Sequence, residues 1–276
     1  MKKWNNRFVK AATYGILTAG AAFILLPFVW MILTSVKPGN EVLLMPPRWL
    51  PSKIQWENYV KAFQAVPFMT YFKNSVIVTV CITSCELITT VLAAFAFARL
   101  EFKGKNLLFM LLVATMMVPG EILVIPNFVT LAKLGWINSY KALIAPWAAS
   151  VFSIFLLRQQ FASIPESYYK AARMDGCGDL RYLLTVMVPM SRPTLVSVAL
   201  LKVINSWNSY LWPLIATNEK TMRTLPVGLA YFSTEAGVQY NTLMAFSLLI
   251  ISPTLIVYAL TQKYIIQGVS KNGLKG

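Results

Sequence analysis

Long apolar runs, separated by loops rich in Lys and Arg, restrict the fold of this sequence more than any other feature. A helix needs about 20 mostly apolar residues to cross the hydrocarbon core of a bilayer. Only 13% of the 276 residues are charged and 57% are hydrophobic, which is too apolar for a water-soluble domain. The sequence predicts an all-α, polytopic membrane protein with a single transmembrane domain over residues 1–276. Its six predicted spans are at about 11–35, 75–98, 107–131, 139–158, 185–215 and 243–264.

The distribution of basic residues predicts which side of the membrane each loop faces. With the N-terminus placed in the cytoplasm, 15 of the 25 Lys and Arg residues fall in inner loops and nine in outer loops. Because cytoplasmic loops are enriched in Lys and Arg, both termini are predicted to be cytoplasmic. The net charge of +15 is then a consequence of topology and does not indicate nucleic-acid binding. Five tryptophans lie near predicted outer boundaries, as an aromatic belt requires: Trp49, Trp56, Trp136, Trp147 and Trp212.

The sequence offers little material for catalysis or metal binding. It contains no His, the commonest general base and a common zinc ligand. Its three cysteines, Cys81, Cys85 and Cys177, form no disulfide or zinc framework. No G-x-x-x-x-G-K-[ST] phosphate-binding loop is present. We therefore expect no enzymatic activity in this chain, no cofactor and no metal.

The long inner loop, residues 158–193, is predicted to contain a short amphipathic helix. Ser163 followed by Glu166 predicts a capping box at its start, and Asp175-Gly176 predicts its end. Glu166 and Lys170 are spaced for an i,i+4 ion pair. A helix of about 11 residues is about 16 Å long, too short to cross a membrane, so a connector at the membrane surface is one interpretation. The apolar residues on or near one face are Ile164, Tyr168, Ala171, Ala172 and Met174.

The same loop resembles a known sequence motif. Its residues have the spacing E-A-A-x3-G-x9-I-x-L-P, which is found in permease subunits of binding-protein-dependent ABC importers. The matching residues are Lys170-Ala171-Ala172, Gly176, Val186, and Val188-Pro189. Other stretches within residues 24–215 resemble carbohydrate-uptake permeases, specifically the second permease subunit of the maltose and glycerol-phosphate type. They include residues 115–120, 134–140, 155–159 and 207–214.

The resemblance implies a fold, a function and a set of partners. The fold is that of a type I ABC importer permease, and the function is ATP-driven import of a sugar or related polar solute across a bacterial cell membrane. The implied partners are a second permease subunit in a heterodimer, a dimer of ATPase subunits, an extracellular or periplasmic solute-binding protein and the lipid bilayer. In that family the loop forms a coupling helix that contacts the ATPase. This implies a coupling role for Lys170, Ala171, Ala172, Asp175 and Gly176, although Lys170 reverses the charge of the motif's Glu.

Charged and polar residues inside the predicted spans are candidates for a translocation path. Glu86 is about 16 Å from the outer end of its span and Lys202 about 15 Å from the inner side, at 1.5 Å per residue. Both depths are near the middle of a core about 30 Å thick, so we expect the two charges to pair within this chain. A pair with the partner permease and contact with a polar solute are the alternatives. Glu121, Asn205 and Asn208 could also line the path, although interhelical hydrogen bonding would equally explain the two asparagines.

Two other classes of function fit the sequence less well. A secondary transporter often contains inverted repeats with broken helices at corresponding positions, and no such pairing is visible here. A membrane-embedded enzyme would need a cluster of reactive side chains, and the sequence offers none. Co-purification with an ATPase and uptake that depends on ATP would separate the three possibilities.

Overall fold

The structure is a computed structural model that describes residues 2–234 and 237–272, with side chains described for residues 7–232 and 237–262. The described residues are mainly helical, as predicted. The two short strands, β1 (Ser233–Thr234) and β2 (Gly237–Val238), form an antiparallel hairpin. The helices are α1 Lys2–Ser35, α2 Glu57–Gln64, α3 Phe68–Arg99, α4 Lys105–Ala114, α5 Val124–Lys133, α6 Tyr140–Ile144, α7 Val151–Ala162, α8 Glu166–Met174, α9 Asp179–Tyr182, α10 Val188–Met190, α11 Arg192–Trp207, α12 Leu211–Ala216 and α13 Tyr240–Asn272.

Three helical segments in the described part of the chain are long and apolar enough to cross a membrane without a break. They are Arg7–Ser35 in α1, Phe68–Arg99 (α3) and Tyr240–Gln262 in α13. The described residues therefore contain three candidate spans, or up to six if each of three bent helix pairs counts as one. The bent pairs are Lys105–Met117 with Gly120–Lys133 (90°), Tyr140–Trp147 with Val151–Ala162 (43°), and Asp179–Met190 with Arg192–Trp207 (82°).

The sequence explains where the bent pairs break. Val118 is extended because the ring of Pro119 disfavours a helical conformation in the preceding residue. Ser150 starts α7, and its hydroxyl accepts a hydrogen bond from the Ser153 amide at 3.3 Å. Ser191 leaves the helical conformation between α10 and α11, and Pro193 follows in the first turn of α11. The segment 185–215, predicted as one span, is therefore divided at Ser191, and α11 ends before α12 begins.

The chain forms two compact units, and the first ends at Phe68 and resumes from Leu229 to Ser252. After α1 this unit is organised around the buried amide of Asn58. The Nδ2 group of Asn58 donates to the carbonyl oxygens of Ser35 and Lys37, both at 2.9 Å. Its Oδ1 atom accepts from Asn241 at 3.1 Å. One side chain thus joins the end of α1, the start of α2 and the first turn of α13.

Two charged side chains in the same unit are held by local contacts outside the spans. Lys37 is 1% exposed, donates to the Arg48 carbonyl at 2.5 Å and lies 4.0 Å from the ring centroid of Trp30. Burial lowers the pKa of Lys37. Glu41 accepts hydrogen bonds from the hydroxyl and the backbone amide of Ser52, and these bonds lower the pKa of Glu41.

The second unit consists of Met69–Gly228 and the chain from Pro253 on. It contains two clusters of buried apolar side chains. One joins the C-terminal half of α3 to α7 and α9: Ala94, Phe95, Leu157, Phe161, Ile164, Tyr182, Leu183 and Met187. The other joins the N-terminal half of α3 to α5, α6 and α12: Val78, Ile82, Leu131, Ala142, Leu143, Trp212 and Ala216.

Candidate functional site

The short helix of the inner loop, α8, begins without the predicted capping box. Pro165 occupies the N-cap position and provides no side-chain hydrogen bond. Ser163 instead ends α7, and its hydroxyl donates to the Gln160 carbonyl at 2.7 Å. The prediction was wrong because Pro165, with its fixed φ and no N–H, takes the position from which the helix starts. As a result α8 has nine residues, not the 11 that were expected.

The C-terminal end of α8 is the one that the sequence predicted. Gly176 has a φ of +73°, in the left-handed region. The Gly176 amide donates to the Arg173 carbonyl at 3.1 Å, and the Cys177 amide donates to the Ala172 carbonyl at 2.9 Å. This pair of hydrogen bonds is a Schellman motif, which satisfies carbonyls that a helix end otherwise leaves free.

One side of α8 is packed into the first apolar cluster of the second unit. Tyr169, Ala172 and the following Cys177 contact that cluster. The Tyr169 hydroxyl donates to Asp179 at 2.8 Å, and this hydrogen bond, with burial, raises the pKa of Tyr169. Arg99 ties the chain just before α8 by donating to two carbonyls, those of Phe161 and Ile164.

The other side of α8 is open. Tyr168 is 52% exposed and Met174 is 83% exposed, and Ala171 between them is also exposed. The predicted Glu166–Lys170 pair is present at 3.3 Å, with both side chains mostly exposed. The structure therefore divides the apolar residues that the sequence placed together. Ile164 and Ala172 are on the packed side, and Tyr168, Ala171 and Met174 are on the open side. Asp175 and Gly176, at the end of the helix, are exposed as well.

The two charges predicted inside the spans form a buried pair within the second unit. The ammonium of Lys202 on α11 is 2.5 Å from Oε2 of Glu86 on α3. Glu86 is 2% exposed, and its Oε1 accepts a hydrogen bond from the Ser153 hydroxyl of α7 at 2.7 Å. The contact between the Lys202 ammonium and Glu86 Oε2 is an ion pair whose angles are not those of a hydrogen bond. Taking two charges out of water is costly, and the attraction between Glu86 and Lys202 offsets part of that cost.

Next to the Glu86–Lys202 pair, the second unit contains a cavity of about 540 Å³ that is partly open. Lys202, Asn205 and Glu121 are among its lining residues, whereas Glu86 stands behind Lys202 and is not part of the lining. Asn208, the fifth predicted residue, is an exposed residue at the C-cap of α11 and is also not among them. The structure therefore brings together four of the five candidates, and α11 ends too early to bring in Asn208.

Ser153 and Trp147 are site residues that were not predicted for these roles. Ser153 is 67 positions from the carboxylate that it contacts, and serine in an apolar run carries no signal of such a partner. Trp147 was predicted near an outer boundary of the membrane, and the structure adds that it lines the cavity. A tryptophan near a span end is compatible with both positions, so the sequence could not distinguish them.

Residues 86–271, about two thirds of the chain, match the family described as "Binding-protein-dependent transport system inner membrane component". The chain belongs to this family. It is therefore a multi-pass membrane component of a transport system, not the subunit that hydrolyses ATP. The arabinooligosaccharides transport system permease protein AraQ of Halalkalibacterium halodurans is 35% identical over 95% of this permease and 96% of that protein. The trehalose/maltose transport system permease protein MalG of Thermococcus litoralis is 35% identical over 93% of each chain.

A solved structure confirms the fold of the permease. It is a crystal structure of a bacterial ABC transporter involved in the import of the acidic polysaccharide alginate. The match covers 94% of this permease and 97% of that chain, with a TM-score of 0.82 and 26% sequence identity. The permease thus has the type I ABC importer fold that the loop motif implied.

Proposed function

We propose that this permease imports an oligosaccharide, which an external solute-binding protein delivers and which ATP hydrolysis by partner subunits drives inward. The named relatives AraQ and MalG belong to arabinooligosaccharide and trehalose/maltose transport systems. The permease would pair with a second permease subunit, and two ATPase subunits would bind on the cytoplasmic side. The observation that carries the proposal is α8, a capped helix with one side packed in the second unit and the other side open.

In this proposal the open side of α8 contacts the ATPase. Tyr168, Ala171 and Met174 present an apolar surface that no described residue covers, and Asp175 and Lys170 lie beside it. Ala172 and Gly176 would act differently from the other motif residues. Ala172 packs inward, and Gly176 ends the helix through its backbone. A helix fixed at its end and along one side is suited to transmit a displacement, because it does not absorb the motion by bending.

Lys170 changes the chemistry of this contact from the one that the family motif would provide. Its ammonium is paired with Glu166 on the surface, and exposed pairs of this kind contribute about 0.3–0.5 kcal/mol. The pair is therefore weak enough to open when a partner arrives. We infer that the ATPase of this system presents an acidic or neutral group to Lys170.

The proposed orientation has both termini in the cytoplasm. If each bent pair counts as one span, α8 follows the fourth span, so it lies on the same side as the N-terminus. The sixth span then returns the chain to that side. The excess of Lys and Arg in the loops assigned to the inner side supports this orientation. The helix α13 runs through Ser252 and Pro253, where the two units meet in sequence, which supports treating both as one permease domain.

The test is uptake of labelled arabinotriose into proteoliposomes that contain the permease with its co-purified partners and binding protein. Uptake should require ATP inside the vesicles, and ATPase subunits should co-purify with the permease. Ala171→Arg, on the open side of α8, should abolish both co-purification and uptake. Gln64→Arg places the same side chain on an exposed position of α2 and should change neither. Uptake that continues on an ion gradient without ATP would instead establish a secondary transporter.

A further inference from the structure

The cavity beside the buried pair has an unusual balance of charge. Glu121 and Lys202 are the ionisable side chains among the described residues that line it. The charge of Lys202 is neutralised by Glu86, which lies 2.5 Å away behind the wall. Glu121 is exposed and has no such partner among the described side chains. Among the described residues, the uncompensated charge that faces the cavity is therefore a carboxylate.

The pairing also determines what Lys202 can bind. A free lysine ammonium in a cavity would attract a carboxylate or a phosphate. Here Glu86 is held from its other oxygen by Ser153 at 2.7 Å, so it is fixed against Lys202. Drawing Lys202 away to bind an anion would leave Glu86 charged, buried and without its partner, and that state is strongly unfavourable. Lys202 is thus not available to an acidic ligand.

The rest of the wall has groups that suit a neutral, hydroxyl-rich ring. Asn205 lies one turn after Lys202 on α11, and Ser209 follows just past the end of that helix; both line the cavity and supply neutral hydrogen-bonding groups. The ring of Trp147 lines the cavity and is supported by Trp212, with ring centroids 6.3 Å apart at 76°. Trp212 is itself held by a hydrogen bond from its Nε1 to the Ala142 carbonyl at 3.0 Å. An aromatic surface with a few fixed polar groups is typical of sites for small organic ligands.

We propose that this cavity is a binding site for neutral sugar units and that it rejects acidic sugars. The Glu86–Lys202 pair and the Glu121 carboxylate together produce this selectivity. The proposal rests on the proposed function, since it assumes that the cavity is on the sugar path. It also separates this permease from the structurally similar transporter that is involved in the import of the acidic polysaccharide alginate.

The experiment measures equilibrium binding of two trisaccharides of equal length to the purified permease complex without its binding protein. The probes are neutral arabinotriose and anionic trigalacturonate, both at low salt. The unmodified complex should bind arabinotriose about tenfold more tightly, because the unpaired Glu121 carboxylate repels an anionic ligand in the cavity. Glu121→Gln should narrow this preference by about tenfold, because trigalacturonate then binds more tightly. Glu86→Gln removes the charge that pairs with Lys202, so it should narrow the preference for arabinotriose further.

A matched control keeps the outcome interpretable. Glu101→Gln removes the same charge from an exposed residue that does not line this cavity, and it should leave the preference unchanged. If Glu86→Gln fails to fold, Glu121→Gln still tests the proposal, because its side chain is exposed on the wall. Equal binding of both trisaccharides by the unmodified complex would overturn the proposal. So would equal preferences in the Glu121→Gln and Glu101→Gln complexes.

If ATP-driven uptake of sugar proceeds but neither trisaccharide binds, this inference fails while the proposed function stands. If uptake is absent, the proposed function fails by its own test.

Discussion

Substitution of Gly176, which ends α8, tests why the loop motif contains a glycine at this position. Gly176 has a φ of +73°, which residues with a side chain rarely adopt. A Cβ atom at this position would meet nothing within 4 Å, so Gly176→Ala causes no clash. The whole cost is then backbone strain, about 1–2 kcal/mol for an L-residue in the left-handed conformation.

That cost should appear as faster opening of the helix end. Raising the free energy of the closed helix end by about 1–2 kcal/mol increases the fraction of molecules in which that end is open by about five- to thirtyfold. The amides of Gly176 and Cys177 close the Schellman motif, so their hydrogen exchange should accelerate by the same factor. Exchange can be followed by mass spectrometry on peptides that cover residues 170–180, with the permease in nanodiscs. Coupling of ATP hydrolysis to uptake should fall in the same variant, because the helix end is less rigid.

Gly178 is a built-in control two positions away. A methyl group added there would also enter open space, but the φ of Gly178, −72°, is ordinary for any residue. Gly178→Ala should therefore leave the two amides of the motif almost unchanged. Equal exchange rates in Gly176→Ala and Gly178→Ala would refute the claim that left-handed geometry is what Gly176 supplies.

Three further changes test contacts elsewhere in the molecule. Ser153→Ala should destabilise the permease by about 1–3 kcal/mol, because Glu86 loses a buried hydrogen bond; thermal unfolding in detergent measures this. Asn58→Ala should cost about 2 kcal/mol or more in the same assay, since two backbone carbonyls lose their side-chain donor. Ser52→Ala should return the pKa of Glu41 towards its ordinary value of 4.5. A lowered carboxyl pKa stabilises the fold above pH 4.5, and this stabilisation is lost as the pH falls through the lowered value. The Ser52→Ala variant should accordingly lose less stability than the parent between about pH 7 and pH 3.

Each of these changes has a matched control or a contrary result. Ser252→Ala removes an exposed hydroxyl from α13 and should shift unfolding by less than about 0.5 kcal/mol. A Ser153→Ala effect no larger than that would mean that Glu86 does not depend on its hydrogen bond. Gln64→Ala removes an exposed amide and serves the same purpose for Asn58. Parallel acid-stability curves with and without the Ser52 hydroxyl would show that Glu41 titrates normally in the folded protein.

The three unbroken spans could be predicted from the sequence because apolar length is a local property of the chain. The break before Pro119 was predictable for the same reason, since proline acts on its immediate neighbours. The break at Ser191 was not. Pro193 suits the second position of a new helix, but prolines are also tolerated inside membrane helices, so the sequence could not distinguish the two arrangements.

The candidate site was predictable where depth was enough to define it. Glu86 and Lys202 are far apart in sequence, but counting 1.5 Å per residue placed both near the middle of the membrane. Asn208 shows where that method fails, because its three-residue spacing from Asn205 defines a shared face only while the helix continues. The helix ends at Trp207, and Asn208 is not part of the cavity wall. Ser153, whose partner lies on another helix, required the three-dimensional structure.

One side of α8 is packed against its own chain and the other is open, and this difference affects how such permeases can change over time. Tyr169 and Ala172 pack against the buried cluster of their own chain, so a substitution at either position requires compensating changes in the permease itself. Tyr168, Ala171 and Met174 are exposed and are not packed against the described part of the chain. If this strip contacts the ATPase, as proposed above, its residues can change with the ATPase surface without disturbing the membrane helices. A permease of this design can acquire a new energy-supplying partner by altering one exposed strip, while its solute path remains as it was.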